Sequence, residues 1–391
     1  MKRITLTPRA NWQEQVESEG LTFHTLEDGR PYWNESAAYE FTSREVDMLE
    51  AAANNMQTMC LAAAQHVIDN NLYAQLEIPA PAIPLIEWAW NQEPPALYGR
   101  FDFSYDGIAP PKLLEYNADT PTSLLEAAVI QWTWLEQVFK SAGPHSEHDQ
   151  FNSIHDKLIA KWKDIDSYLV KPVYFAATDT PEDQLTIAYL RDTAEQAGLP
   201  TKQIAMLDIG FNPGLNAFTD LDENKIESIF KLYPWETMLE EQFAQPMLDT
   251  YKQTRWIEPI WKLLLSNKGI LPILWQLYPD HENLLPAFFE SDTLALNSPT
   301  SSMTSYVRKP IHGREGANIT RVTPTGTTQT DGTYASGKFI TQALAPIANF
   351  AGNFPVLGLW MVDQECAGLG IRESLSPITG NLASFIPHYF I

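Results

Sequence analysis

The chain has 391 residues, 44% of them hydrophobic, enough to bury a large core and ordinary for two or three lobes that share a cleft. Its 26 Lys and Arg against 49 Asp and Glu give a formal charge of -23, which argues against a nucleic-acid partner, since phosphate contacts need a basic surface. Only Cys60 and Cys366 occur, in no zinc or disulfide spacing; the N-terminus lacks an apolar signal core and no apolar run reaches a membrane span, so a soluble, cytoplasmic protein with no membrane partner is expected.

Residues from Thr42 to about Asn70 are Ala-rich and open with Thr42 and Glu45 at capping-box spacing, which predicts a long helix. Cys60 and His66 read as residues of that helix without a chemical role. The Pro-rich stretch from Ile78 to Pro95 reads as non-helical, because an interior Pro removes a helix hydrogen bond. It leads into two alternating runs, Arg100 to Phe103 and Lys112 to Asn117, separated by Asp106-Gly107 and Pro110-Pro111. That pattern predicts an antiparallel hairpin with a long loop.

Ser123 to about Lys140 carries Leu, Ile, Trp and Phe at intervals of three and four, a helix with Trp residues toward the core. Pro172 to Ala188 passes from an apolar strand to a helix start, and a second strand-plus-helix is expected after Leu199-Pro200. The alternation implies an α/β lobe with some parallel strands. Ile226 to His281 reads as an aromatic-rich helical section, in which Lys268 is an isolated cation. Tyr306 to Phe350 is β-like, interrupted by the loop IHGREGANI. Pro355 to Ile391 gives a strand, a Gly-containing turn and the polar GIRESLSPITGN. The fold class is therefore α/β (α+β), divided approximately into an N-terminal helical segment (1–95), a metal- and substrate-binding region (96–265) and a nucleotide-binding region (266–391), working as one catalytic unit.

Strand side chains alternate faces, so Arg100 and Asp102 share one face of the hairpin, and Glu115 and Asn117 share one. If the faces coincide, two carboxylates and an amide oxygen converge beside a guanidinium, a hard-oxygen set suited to Mg²⁺ with a cation for an anionic group. A solvent-exposed ribbon with outward charges is the other reading. Asn117 to Ser123 then enters a helix, presenting N–H groups and the hydroxyls of Thr120, Thr122 and Ser123 at its positive end, which suits a carboxylate.

Lys309-Pro-Ile-His-Gly-Arg-Glu-Gly316 is a loop in which Gly313 and Gly316 would let amides close over phosphates, with Lys309 as a point charge; it does not match the Walker pattern, and a plain surface turn is the alternative. His312 reads as a non-ligand. Gly368 to Asn381 brings Arg372, either for a phosphate or as a surface residue of a C-terminal turn. Thr180-Pro-Glu182-Asp183 is ordinary helix-start grammar, with substrate contact the second reading. No defensible Ser/His/Asp or Cys/His arrangement for a nucleophile is visible.

RFDF, LLEYNADTPTSLLEAA, YPWE, NKGILPILW, KPIHGREGANI and GIRESLSPITGN, in that order, resemble the synthetase part of the glutathionylspermidine synthetase family, an ATP-grasp variant. The resemblance covers most of the chain, and the amidase domain of bifunctional members is not expected in it. It implies an ATP- and Mg²⁺-dependent ligase that joins a small-molecule acid to a peptide- or polyamine-like amine through an acyl-phosphate. By position, it implies that Asp102, Glu115 and Asn117 hold Mg²⁺ and that Arg100 stabilises the reacting phosphate. ATP contacts would fall on Lys268, Lys309, a hinge at Gln342, Ala343, Leu344 and Ala345, and Arg372, and the amine would meet Glu182 and Asp183. Phosphoryl transfer asks for positioning and charge neutralisation, which agrees with a chain rich in placed cations and without a nucleophile.

Thr120, Thr122 and Ser123 stand where glutathione-using relatives carry Ser, Ser and Cys, and Leu232 follows Lys231 where they carry a hydroxyl. A different acid or amine is therefore expected. The alternative is a nucleotide-binding protein with ATPase activity only, acting as a sensor or scaffold.

Overall fold

The computed structural model describes residues 1–139, 147–290, 303–380 and 382–391. The Thr42 hydroxyl accepts the Glu45 N–H at 3.3 Å while the Glu45 carboxylate accepts the Thr42 N–H at 2.9 Å, and this capping box opens the helix Ser43–Asp69. Its Ala, Met and Cys60 stripe is buried, as is Cys366, so neither thiol is presented for chemistry.

The Pro-rich stretch departs from expectation. A short 3-10 turn, Ala80–Ala82, is followed by the helix Ile83–Gln92. Pro84 falls in its first turn, where N–H groups have no intrahelical partner, so the ring costs no hydrogen bond. The helix stops at Glu93, whose φ of 47° is left-handed, ahead of Pro94.

Tyr98–Ser104 and Lys112–Asn117 pair antiparallel as the predicted hairpin. Its first strand lies inside a five-stranded antiparallel sheet, ordered Ser384–Ile386, Glu365–Ser374, Phe354–Val362, Tyr98–Ser104, Lys112–Asn117. All of Tyr98–Ser104 is buried, which excludes a solvent-exposed ribbon. GIRES is also strand and not turn; the reversal occurs at Asp363-Gln364, at φ 51° and 69°. The small residues of Glu365–Ser374 admit close neighbours and do not form a turn: a Cβ on Gly370 would stand 3.0 Å from the Phe385 ring. On the neighbouring strand Phe354–Val362, Gly358 lies opposite Asp102, and a Cβ there would stand 2.8 Å from Arg100 Cδ.

After Ser123 a π turn, Glu126–Ile130, leads into the helix Gln131–Val138 with Trp134 buried; Lys140 lies outside the described residues. Val173–Ala177, Thr201–Ala205, Ser228–Leu232 and Arg255–Ile257 form an all-parallel sheet, the first two bridged by the helix Pro181–Gln196. The helix expected after Thr201–Ala205 is reduced to a single 3-10 turn, Met206–Asp208. A small hairpin, Gly210–Asn212 with Ala217–Thr219, takes its place, because Asn212 Oδ1 accepts the N–H of Gly214 at 2.9 Å and reverses the chain. The aromatic section after Ile226 likewise contains strands and only short helices, Trp235–Met238, Ala244–Thr250 and Ile270–Leu277.

A second five-stranded antiparallel sheet runs Ala287–Phe289, Phe339–Ala343, Tyr306–Pro310, Thr320–Thr323, Gly326–Gln329. It and the hairpin's sheet both line a cavity of about 850 Å³. The terminal strand His388–Phe390 pairs in parallel with Ala37–Phe41, joining the chain's ends. Among the described residues, no helix is long and apolar enough to cross a membrane.

Candidate functional site

Arg100 is the cross-strand partner of Asn117, and Asp102 that of Glu115, so the two hairpin faces coincide. The register slips between Asp102 and Phe103, which leaves Leu114 as an extra residue. This bulge turns Leu113 and Tyr116 to the core while Leu114, Glu115 and Asn117 line the cavity.

Around these donors the structure gathers cations. Arg100 Nε lies 2.8 Å from Asp102 Oδ1, and the other Asp102 oxygen accepts from Arg372 and, at 3.2 Å, from Asn117 Nδ2. Lys268, just before the helix Ile270–Leu277, meets Glu115 Oε2 at 2.9 Å and donates to the Gly313 carbonyl. Lys309 Nζ donates to the bulge carbonyl of Leu114 at 3.1 Å and to Gln342 Oε1 at 2.8 Å, while Gln342 Nε2 donates to the Leu113 carbonyl at 3.1 Å. Lys309 and Gln342 thereby stitch the second sheet to the hairpin.

Burial pushes the Glu115 carboxyl up, but Lys268, Lys309 and Arg372 outweigh it and hold it well below the usual carboxylate range. Burial brings the Lys309 ammonium down to about 8. Four cations, Arg100, Arg372, Lys268 and Lys309, surround the two carboxylates Asp102 and Glu115. The hairpin end of the pocket thus carries a local positive surplus that suits a polyanion accompanied by a divalent cation, while Glu27, Glu182, Asp183 and Glu315 line the pocket elsewhere. Among the described residues there is no group of three or more His, Cys, Asp and Glu able to hold a metal. Two carboxylates and an amide oxygen nevertheless fit Mg²⁺, which keeps several waters and takes few protein ligands.

The glycine loop follows Lys309. Gly316, at φ 71°, presses against the Thr379 carbonyl, where a Cβ would come within 2.5 Å. Gly313, Gly316 and the residues Gln342, Ala343, Leu344 and Ala345 line the same cavity. So do Thr120, Thr122, Glu182 and Asp183. The last two occupy the first turn of Pro181–Gln196, with the Thr180 hydroxyl accepting the Asp183 N–H at 3.2 Å, and burial raises the Asp183 carboxyl. Ser123 is the exception among the predicted residues. It is buried at φ 66°, with its Oγ 3.2 Å from the Tyr32 hydroxyl, and it is not among the cavity-lining residues.

Several residues of this region escaped sequence reasoning. Arg314, inside the glycine loop, donates to Thr120 Oγ1 at 2.8 Å and to Glu236 Oε1 at 2.7 Å. Lys231 and Asp119, fully buried, pair at 2.7 Å, and the Trp235 N–H donates to the other Asp119 oxygen at 3.1 Å. Asp119 is thus a strut beneath the Thr120 segment. A cation between two glycines was the available signal for Arg314; the partners, far away in sequence, gave none.

Two antiparallel sheets facing one cavity, beside a parallel α/β layer, make a fold of the glutathione synthetase-like, ATP-grasp type. The solved glutathione synthetase-like effector of Globodera pallida shares this fold, with a TM-score of 0.58 at 10% identity over 98% of this chain and 96% of that one. The family model described as glutathionylspermidine synthase preATP-grasp matches residues 3–391, and the chain belongs to that family of ligases. A Haemophilus influenzae protein provisionally named an acid–amine ligase is 39% identical over the full length of both chains. Trypanothione synthetase of Crithidia fasciculata is 31% identical over 82% of this chain, and the bifunctional glutathionylspermidine synthetase/amidase of Escherichia coli 29% identical over 86%. The chain spans 51% of the former and 57% of the latter.

Proposed function

We propose that the chain is an ATP- and Mg²⁺-dependent carboxylate–amine ligase that forms an amide through an acyl-phosphate and works in the cytoplasm. The observation that carries this reading is the cross-strand set Asp102, Glu115 and Asn117, ringed by Arg100, Arg372, Lys268 and Lys309. Asp102, Glu115 and Asn117 would hold Mg²⁺, which when bound supplies charge neutralisation at the phosphates.

Arg100 and Arg372 face the reacting oxygens and stabilise charge as the carboxylate oxygen bonds to the γ-phosphorus and ADP departs. Lys268 and Lys309 hold the nucleotide's phosphates, with Gly313 and Gly316 closing over them and Gln342 to Ala345 beside the base. Thr120 and Thr122 receive the acid. Glu182 and Asp183 attract the ammonium of the amine, which in its neutral form displaces phosphate from the acyl carbon. Ser123 shapes the helix entry and does not touch the acid. The three segments 1–95, 96–265 and 266–391 contribute wall, metal and substrate site, and nucleotide site respectively.

Incubation with Mg-ATP and a panel of amino acids, small peptides and polyamines tests this, with phosphate and amide both measured. Phosphate release that needs an acid and an amine together, matched by amide, is expected. Phosphate without amide for every pair would leave a nucleotide-binding ATPase in place of the ligase.

A further inference from the structure

Arg321 lies on the strand Thr320–Thr323, opposite Val307, which is itself opposite Gln342. The three form one row on one face of the second sheet, and all line the cavity. Lys309 lies two positions beyond Val307 on the same face, so it is the diagonal neighbour of Arg321, at a spacing of about 7–8 Å. Both side chains can therefore reach one extended polyanion.

The partners of the cavity's cations separate Arg321 from the rest. Arg100 and Arg372 are held by Asp102, Lys268 by Glu115, Lys309 by Leu114 and Gln342, and Arg314 by Thr120 and Glu236. Arg321 makes no ion pair or hydrogen bond among the described residues, and its Nε is shut off from water without an acceptor. Leaving a buried charged donor unmade is costly, so its acceptor is expected from whatever fills the cavity.

We infer that Arg321 binds the nucleotide's polyphosphate, taking an oxygen of the α- or β-phosphate through its planar fork while Lys309 and Lys268 serve the end nearer Glu115. This rests on the proposed ligase reading. Its consequence is nucleotide affinity, with the acid and amine subsites untouched.

Calorimetric titration of Mg-ADP and Mg-ATP into wild type, Arg321→Gln and Arg321→Lys tests it, with unliganded melting curves confirming the fold. Arg321→Gln should weaken both nucleotides about ten- to a hundredfold, Arg321→Lys less, and the KM of the acid at saturating ATP should not change. Unchanged nucleotide binding in both variants, or a rise in the acid's KM alone, overturns the inference while wild-type nucleotide binding leaves the ligase reading standing. A wild type that binds no nucleotide would sink both.

Discussion

Glu126 sits behind Tyr32 of the cavity wall, 1% exposed, where its Oε1 accepts the Tyr32 hydroxyl at 2.6 Å. Burial pushes its carboxyl up to about 7 from an ordinary 4.5. The folded chain therefore holds this proton more tightly than the unfolded chain, and the group's contribution is best below 4.5 and worsens until pH passes 7. From that shift the ionised group costs about 3 kcal/mol at pH 8. Glu126→Gln keeps an acceptor for Tyr32 without the charge. Urea unfolding should find it more stable than wild type at pH 8, by a margin that shrinks by about 2 kcal/mol at pH 5.5. A margin independent of pH would contradict the buried, proton-holding role.

In the proposed ligase the glycine loop is the element that would close over the nucleotide. It joins Tyr306–Pro310 to Thr320–Thr323 and is fastened by side chains more than by sheet pairing: Arg314 to Thr120 and Glu236, and Lys268 to the Gly313 carbonyl. If those side-chain ties give way to nucleotide contacts, amides from Ile311 to Asn318 should exchange faster without nucleotide and become protected with Mg-ATP. Equal protection in both states would count against a closing loop. At this scale the sequence was readable where signals are local. The Thr42 and Glu45 capping box and the turn residues of the hairpin specify their elements within a few positions. Ser228–Leu232 and Glu365–Ser374 were missed because strands buried on both faces lose the alternation that marks a strand. The bulge at Leu114 and the pair Arg314–Glu236, 78 positions apart, depend on tertiary contacts that no local pattern encodes.

Across the whole molecule, a chain of formal charge -23 gathers Arg100, Lys268, Lys309 and Arg372 at one end of one cavity. The acidic exterior keeps polyanions off the surface while the cation cluster around Asp102 and Glu115 offers them a local positive field. Strands from residues 98–117 and 354–386 must meet in one sheet before Asp102 faces Arg372, so the site is a property of the completed fold. The resemblance carried by six ordered motifs pointed to residues that the fold gathers at one cavity, Asp102, Glu115 and Asn117 with Arg100, Lys268, Lys309 and Arg372, whereas Ser123 falls outside its lining. The most direct measurement compares Glu115→Ala with wild type for phosphate release from Mg-ATP in the presence of a productive acid–amine pair, with thermal melting as the control on folding. The account predicts that the variant melts as a folded protein and has lost Mg²⁺-dependent turnover. Turnover at the wild-type rate in that folded variant would contradict it.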